Sequence, residues 1–267
     1  TTKETFQVTK AEIDAAYAEI DAQFIQVMKA SAENIRAYHE KQKRNSWFDA
    51  KEDGTILGQK ITPMQTVGVY VPGGKAAYPS TTLMNVIPAK VAGVPNIIMT
   101  TPAGANGKVN PATLVAADIA GVDMIFKTGG AQAIAALAYG TQLIPKVDKI
   151  VGPGNIFVAL AKRAVYGHVS IDSIAGPSEI LVLADESATP RYVAADLLSQ
   201  AEHDELASAI LITTSAELAK QVSDEVDKFV EVLERKAIIQ ESLNNYGYIL
   251  VTEDMEMAID AANEIAS

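Results

Sequence analysis

The stretch that decides the fold is "TVGVYVPGGKAAYPSTTLMNVIPAKVAGVPNIIMTT", residues 66–101. It opens on a nearly continuous apolar run, "TVGVYV" (66–71), and passes through glycines into a helical pattern starting near Pro79. It ends in a second apolar run, "NIIMTT" (96–101). Two apolar runs of strand length joined by a helix describe a right-handed strand–helix–strand unit. Runs that are apolar at successive positions suit strands buried on both faces.

The same texture continues downstream. Strands are predicted at "DMIFKT" (123–128), "KIVG" (149–152), "EILVLA" (179–184), "AILITT" (209–214) and "YGYILVT" (246–252), with helical patterns between them. One helix, 111–120, has Asn110 as N-cap, Pro111 in its first turn and Gly121 just past its end. The alternation predicts an α/β fold with mostly parallel sheets. Seven strands can form one wide sheet or two small ones. A weak internal similarity favours two: residues 78–102 and 189–215 each have a proline at a helix start (Pro79, Pro190), a short link and a strand ending in Thr-Thr (100–101, 213–214).

Upstream, Thr9 and Glu12 make a capping-box pattern ahead of helically spaced apolar residues, and a second helical run covers Ile25 to about Arg44. "NSWFDAKEDGTILGQ" (45–59) predicts two short strands around Asp53-Gly54, a pair suited to a type I′ turn.

Composition narrows the chemistry. Of 267 residues, 48% are hydrophobic, and no run nears the roughly 18 apolar residues of a membrane span. The start, "TTKETFQ", lacks a signal-peptide pattern, which leads us to expect a cytoplasmic protein; it also lacks a Met, so a processed or trimmed start is expected. A net charge of −11 disfavours a nucleic-acid partner. There is no cysteine, so disulfides, thiolate zinc sites and a catalytic thiol are excluded together, and any metal must be held by His, carboxylate, amide or water.

Ligands of parallel sheets bind beyond the carboxyl ends of strands. Three strand-to-helix junctions are glycine-rich: "YVPGGK" (70–75), "TGGAQA" (128–133) and "GPGNIF" (152–157). Together they suggest a phosphate-bearing ligand, since glycine admits close approach and helix starts favour anions; singly, each is a tight turn. None is G-x-G-x-x-G. Tyr70, Gln132 and Asn155 sit at these junctions, where an amide can bond a ribose or phosphate oxygen or cap its own helix. In "IDSIAGPSEI" (171–180), Ser178 can meet a substrate or cap a turn, but it has no nucleophile elbow around it.

"SQAEHDE" (199–205) falls at the end of a helix predicted over Pro190 to Leu206, with Val193, Ala194, Leu197, Leu198 and Ala201 as its apolar stripe. Gln200 and His203 lie beside that stripe with Asp196, at a spacing that lets two ligands reach one ion. From this segment alone a solvated flank is the plainer account, because glutamine is an unusual zinc ligand. The two remaining histidines, His39 and His168, are expected at the surface.

Taken in order, "SWFDAKEDGTILGQKITP", "VGVYVPGG", "TGGAQAIAALAYGT", "VGPGNIFVALAKR", "IAGPSEILVLAD" and "DLLSQAEHD" resemble histidinol dehydrogenase, over essentially all of the chain from about residue 30. The resemblance implies zinc-dependent oxidation of L-histidinol to L-histidine through the aldehyde, with consumption of NAD, by a homodimer whose sites borrow residues across the interface. It makes Tyr70, Gln132 and Asn155 contacts of NAD, Ser178 a substrate contact, and Gln200 and His203 zinc ligands that also lie against substrate. It implies two incomplete Rossmann-like domains, with 71–178 inserted between 1–70 and 179–267. The family's acid–base Glu-His pair lies in a Pro-Glu-His-Leu-like segment, and no Pro-Glu-His occurs here. The final "AIDAANEIAS" looks like the residues just before it, so that pair and the remaining zinc ligands are expected beyond Ser267, and the chain alone is expected to be inactive. Two alternatives stand beside this: a non-catalytic nucleotide-binding or assembly remnant, and a dehydrogenase of another amino alcohol.

Overall fold

The computed structural model describes residues 3–73 and 78–266. In chain order the elements are α1 (Lys3–Phe6), α2 (Lys10–Glu19), α3 (Ala22–Glu40), β1 (Trp47–Ala50), β2 (Ile56–Gln59), β3 (Thr66–Tyr70), α4 (Pro79–Val91), β4 (Asn96–Thr100), α5 (Pro111–Ala120), β5 (Met124–Phe126), α6 (Gly130–Tyr139), β6 (Lys149–Val151), α7 (Ile156–Val165), β7 (Ser170–Ile171), β8 (Glu179–Ala184), α8 (Pro190–Ala201), β9 (Ser208–Thr213), α9 (Ala216–Val232), α10 (Lys236–Tyr246), β10 (Gly247–Val251) and α11 (Met255–Ile265). All seven predicted strands are present, and the fold is α/β with parallel sheets, apart from the β1–β2 hairpin.

The chain forms two compact units, Thr1–Ile174 and Ala175–Ser267. In the first, a five-stranded sheet runs in the order β5-β4-β3-β6-β7. Counted within the sheet this is 3-2-1-4-5, the order of the first five strands of the doubly wound dinucleotide fold. Both faces are covered. Val67, Val69, Val71, Ile97 and Met99 belong to one core with residues of α2, α3, α4 and α5, while Tyr70, Ile98 and Ile150 belong to another with α6 and α7. Alternate residues of one strand therefore enter different cores, which is why the runs are apolar at successive positions.

The N-terminal segment joins this unit. Thr9 caps α2 in a complete capping box with Glu12, and Glu12 also pairs with the largely buried Lys127. Helix α2 packs on α5 and α3 on α4. Val8 N–H donates to the Ile125 carbonyl at 2.9 Å and Lys127 N–H to that of Phe6 at 2.9 Å, so the N-terminal segment covers the β5 edge.

The second unit has a three-stranded sheet, β10-β9-β8, with α8, α9 and α10 supplying most of its core. Its β8–α8–β9 unit repeats β3–α4–β4, with Pro79 and Pro190 each opening its helix. The packing draws the units elsewhere than 1–70 with 179–267. Strand β3 is hydrogen-bonded between β4 and β6, and α2 and α3 lie on α5 and α4, so these elements pack with the five-stranded sheet.

The hairpin turn also differs from expectation. Asp53 does not have positive φ, as a type I′ turn requires; among the described residues only glycines do. Gly54 N–H donates to the Lys51 carbonyl at 3.0 Å and Lys51 N–H to that of Thr55 at 2.9 Å, with Gly54 at φ +83°. This is a three-residue loop with glycine in the left-handed position, because Ala50 pairs with Ile56 and leaves five residues between the strands.

Candidate functional site

The strand order of the first unit reverses direction between β3 and β6, and the residues expected to contact a nucleotide lie at or beyond the carboxyl ends of β3, β5 and β6. Tyr70 ends β3. Its ring is buried at 4% exposure, and its Oη accepts a hydrogen bond from the Gly130 N–H, the first residue of α6, at 3.0 Å. The phenol thus meets one of the amides that a helix start leaves without an intrahelical acceptor. Gly130 adopts φ +70°, and a Cβ on Gly129 would stand 2.8 Å from Pro102, so the turn into α6 requires glycine twice. Gln132 follows in the first turn, exposed, with its carboxamide folded over Gly130.

The β6–α7 junction closes on the same tyrosine. Gly152 has φ +111°, and a Cβ there would lie 2.1 Å from the Tyr70 carbonyl oxygen. Asn155 is the N-cap of α7, with Oδ1 accepting from the Val158 N–H at 3.2 Å. The capping role that its type and position allow is thus the one seen for its oxygen. Tyr70 therefore links the three candidates: its hydroxyl holds the helix that carries Gln132, and its carbonyl abuts the loop that carries Asn155. In the junction at 70–75, residues 74 and 75 lie outside the described residues.

The donor chemistry suits a dinucleotide. Two helix starts, two carboxamides and glycine turns gather at one sheet edge, where phosphate and ribose oxygens can be bonded. A cavity of about 340 Å³ lies in the same unit, between α2 and the β4–α5 loop, lined among others by Glu12, Glu19, Pro102, Lys108 and Asn110. Its two carboxylates make it a poor phosphate site.

Two residues here escaped the sequence reading. The Lys162 Nζ pairs with Asp172 and donates to the Gly152 carbonyl at 3.0 Å, and Asp172 Oδ2 accepts the Gly152 N–H at 2.7 Å. Lys162 is only 3% exposed. The signal was present: Val158, Lys162 and Val165 share the buried spacing of an otherwise apolar helix, "IFVALAKRAV".

In the second unit the candidates gather at the opposite, amino edge of the sheet. Ser178 directly precedes β8, is exposed, and its carbonyl accepts from Ser208 N–H at 3.1 Å at the start of β9. Gln200 lies in the last turn of α8, which runs back to that edge. His203 is not on the helix as expected. Helix α8 stops at Ala201, Glu202 is its C-cap, and His203 N–H donates to the Gln200 carbonyl at 3.0 Å in the following turn. The chain must reverse here to enter β9 at Ser208, and Asp204 Oδ1 fixes the turn by accepting Leu206 N–H at 3.0 Å. The apolar stripe of α8 is buried at all five expected positions.

Gln200 and His203 alone do not make a four-ligand zinc shell. Among the described residues, no group of three or more His, Asp or Glu side chains is placed to hold a metal ion. His168 is exposed against Tyr139, with ring centroids 4.6 Å apart, and His39 Nδ1 is 2.6 Å from Gln42 Oε1. No helix among the described residues is long and apolar enough to cross a membrane.

Residues 1–267 match the family profile of histidinol dehydrogenase. The chain is 61% identical over 262 residues to a histidinol dehydrogenase of Halalkalibacterium halodurans, covering 98% of this chain and 62% of that relative. It is 59% identical over 263 residues to that of Caldanaerobacter subterraneus subsp. tengcongensis, covering 98% of this chain and 61% of the relative. The crystal structure of histidinol dehydrogenase from Elizabethkingia anophelis superposes with a TM-score of 0.92 at 40% identity, covering 97% of this chain and 60% of that one. The chain thus spans about three-fifths of the length of these relatives.

Proposed function

This chain belongs to the histidinol dehydrogenase family, and from that premise we propose that it carries the nucleotide-binding part, and part of the substrate site, of an enzyme oxidising L-histidinol to L-histidine through the aldehyde, the last step of histidine biosynthesis. The observation that carries this is the cluster around Tyr70, which joins the starts of α6 and α7 at the reversal of strand order.

NAD, when bound, supplies the hydride acceptor. The chain's own part is to bind and orient. Tyr70 keeps the start of α6 in place, Gln132 and Asn155 offer carboxamide donors to ribose or phosphate, and the glycine turns let the backbone approach. Ser178, Gln200 and His203 are the proposed substrate contacts, with Gln200 and His203 contributing two members of a zinc ligand set. We assign no acid–base residue within the 267 residues: this chain offers no thiol to capture the aldehyde, which fits a hydrated intermediate, and it contains no Pro-Glu-His segment. A homodimer is the proposed assembly.

The test is calorimetric titration of the chain with NAD, with and without histidinol. Micromolar-to-millimolar binding that Asn155→Ala weakens is the expected result. Absence of any NAD heat in a folded chain would defeat the reading. A second reading is a nucleotide-binding module that does no chemistry; NAD binding unaffected by histidinol or zinc would select it.

A further inference from the structure

Buried ion pairs are weak evidence for stability, because desolvating two charges offsets much of their attraction, and an apolar pair of similar volume often serves as well. The pair of buried Lys162 and partly exposed Asp172 has another use. Its bonds converge on the backbone of one residue: the Gly152 carbonyl accepts from Lys162 Nζ, and its N–H donates to Asp172 Oδ2. The third side of Gly152 is closed by the Tyr70 carbonyl, 2.1 Å from where a Cβ would be.

Both charges are themselves held. Asp172 follows β7, its N–H donates to the Ile150 carbonyl at 3.2 Å, and its Oδ1 accepts the Ser173 N–H at 2.7 Å. Lys162 lies two turns along α7 from Asn155, on the buried face, so its stem runs back toward the helix start. Residues 152–155 are the entire link between β6 and α7. Fixing Gly152 at one end and the helix at the other leaves the loop little freedom.

We propose that Lys162 and Asp172 are a positioning pair that sets the shape of the β6–α7 loop, and through it the geometry with which Asn155 meets a dinucleotide. This deepens the reading of the Tyr70 cluster as the NAD site and rests on it. The pair touches no ligand; it acts through the loop.

Lys162→Met removes the ammonium and keeps the stem, while Asp172→Asn keeps an acceptor for Gly152. Lys149→Met is the control. It deletes a comparable bond, from Nζ to the Ile171 carbonyl at 2.9 Å, without touching the loop. Hydrogen exchange should speed up at Gly152 and 154–158 in both test variants but not in the control. Their NAD dissociation constants should rise roughly tenfold to a hundredfold, while the control binds as the parent does. Parent-like exchange at 152–158 in Lys162→Met overturns the proposal, as does an equal affinity loss in the control. Failure of both test variants to fold also overturns it, by assigning the pair to folding alone. If the parent chain binds no NAD, the functional reading fails, and exchange still decides whether the pair holds the loop.

Discussion

Tyr17 donates its hydroxyl to Asp118 Oδ2 at 3.0 Å, tying α2 to α5. Burial, then the Asp118 carboxylate, push its phenol from 10.0 up to about 12. The neutral phenol is favoured by folding, so its contribution is complete below pH 10.0 and is lost as pH rises toward about 12. Glu12 has the opposite sign. Burial acts to raise its carboxyl, but hydrogen bonds from Lys127 and the Thr9 backbone outweigh it and hold the group below its ordinary value, so that contribution fades on acidification. Urea unfolding of Tyr17→Phe should therefore be flatter than the parent between pH 10.0 and about 12; parallel curves through that window would place the alkaline loss elsewhere. At this scale, caps could be read directly. Thr9 and Asn110 announce themselves by type and spacing. Lys162 could be noticed as a charge at a buried helix position, but not assigned a role, because its partners, Gly152 and Asp172, are brought to it by a loop and a strand that only the folded sheet aligns.

Helix α5 shows how far an element is written in its own residues. Asn110 Oδ1 accepts the Ala112 N–H at 2.9 Å, Pro111 opens the helix, and Gly121 ends it at φ +87°. Asn110→Ala should cost about 1 kcal/mol in a urea titration; a change within error would mean that the cap is replaced by another acceptor. Helix α8 shows the limit. Its apolar stripe was legible, but its end was not. The predicted helix ran to Leu206, while the structure stops it at Ala201 with a right-handed C-cap and no glycine to mark it. The stop is imposed by the need to enter β9, which removes His203 from the helix. The hairpin is a third case. Asp53-Gly54 marked the turn, but the cross-strand register, set by Ala50 and Ile56, decided its type.

For the molecule as a whole, the two units divide the candidate residues, Tyr70, Gln132 and Asn155 on one, Ser178, Gln200 and His203 on the other. Zinc should be held only weakly, since two of the proposed ligands fall short of a tetrahedral shell. Zinc titration followed by dialysis should leave substoichiometric metal, with His203→Ala little different from the parent. Stoichiometric zinc that His203→Ala abolishes would show that other side chains, with Asp196, Glu202 and Asp204 nearest in sequence, complete the site.

The sequence by itself determined the α/β class, all seven main strands and the glycine turns, because each rests on local periodicity or on a backbone conformation that only certain residues adopt. Family membership was legible too, from linked motifs in order. Only the tertiary structure decided which strands share a sheet, that α2, α3 and β3 join the five-stranded sheet, and that one set of candidates stands at the carboxyl edge of its sheet and the other at the amino edge. Those outcomes depend on hydrogen bonds and packing between residues tens of positions apart, and nothing in the local pattern encodes which distant strand will be the neighbour.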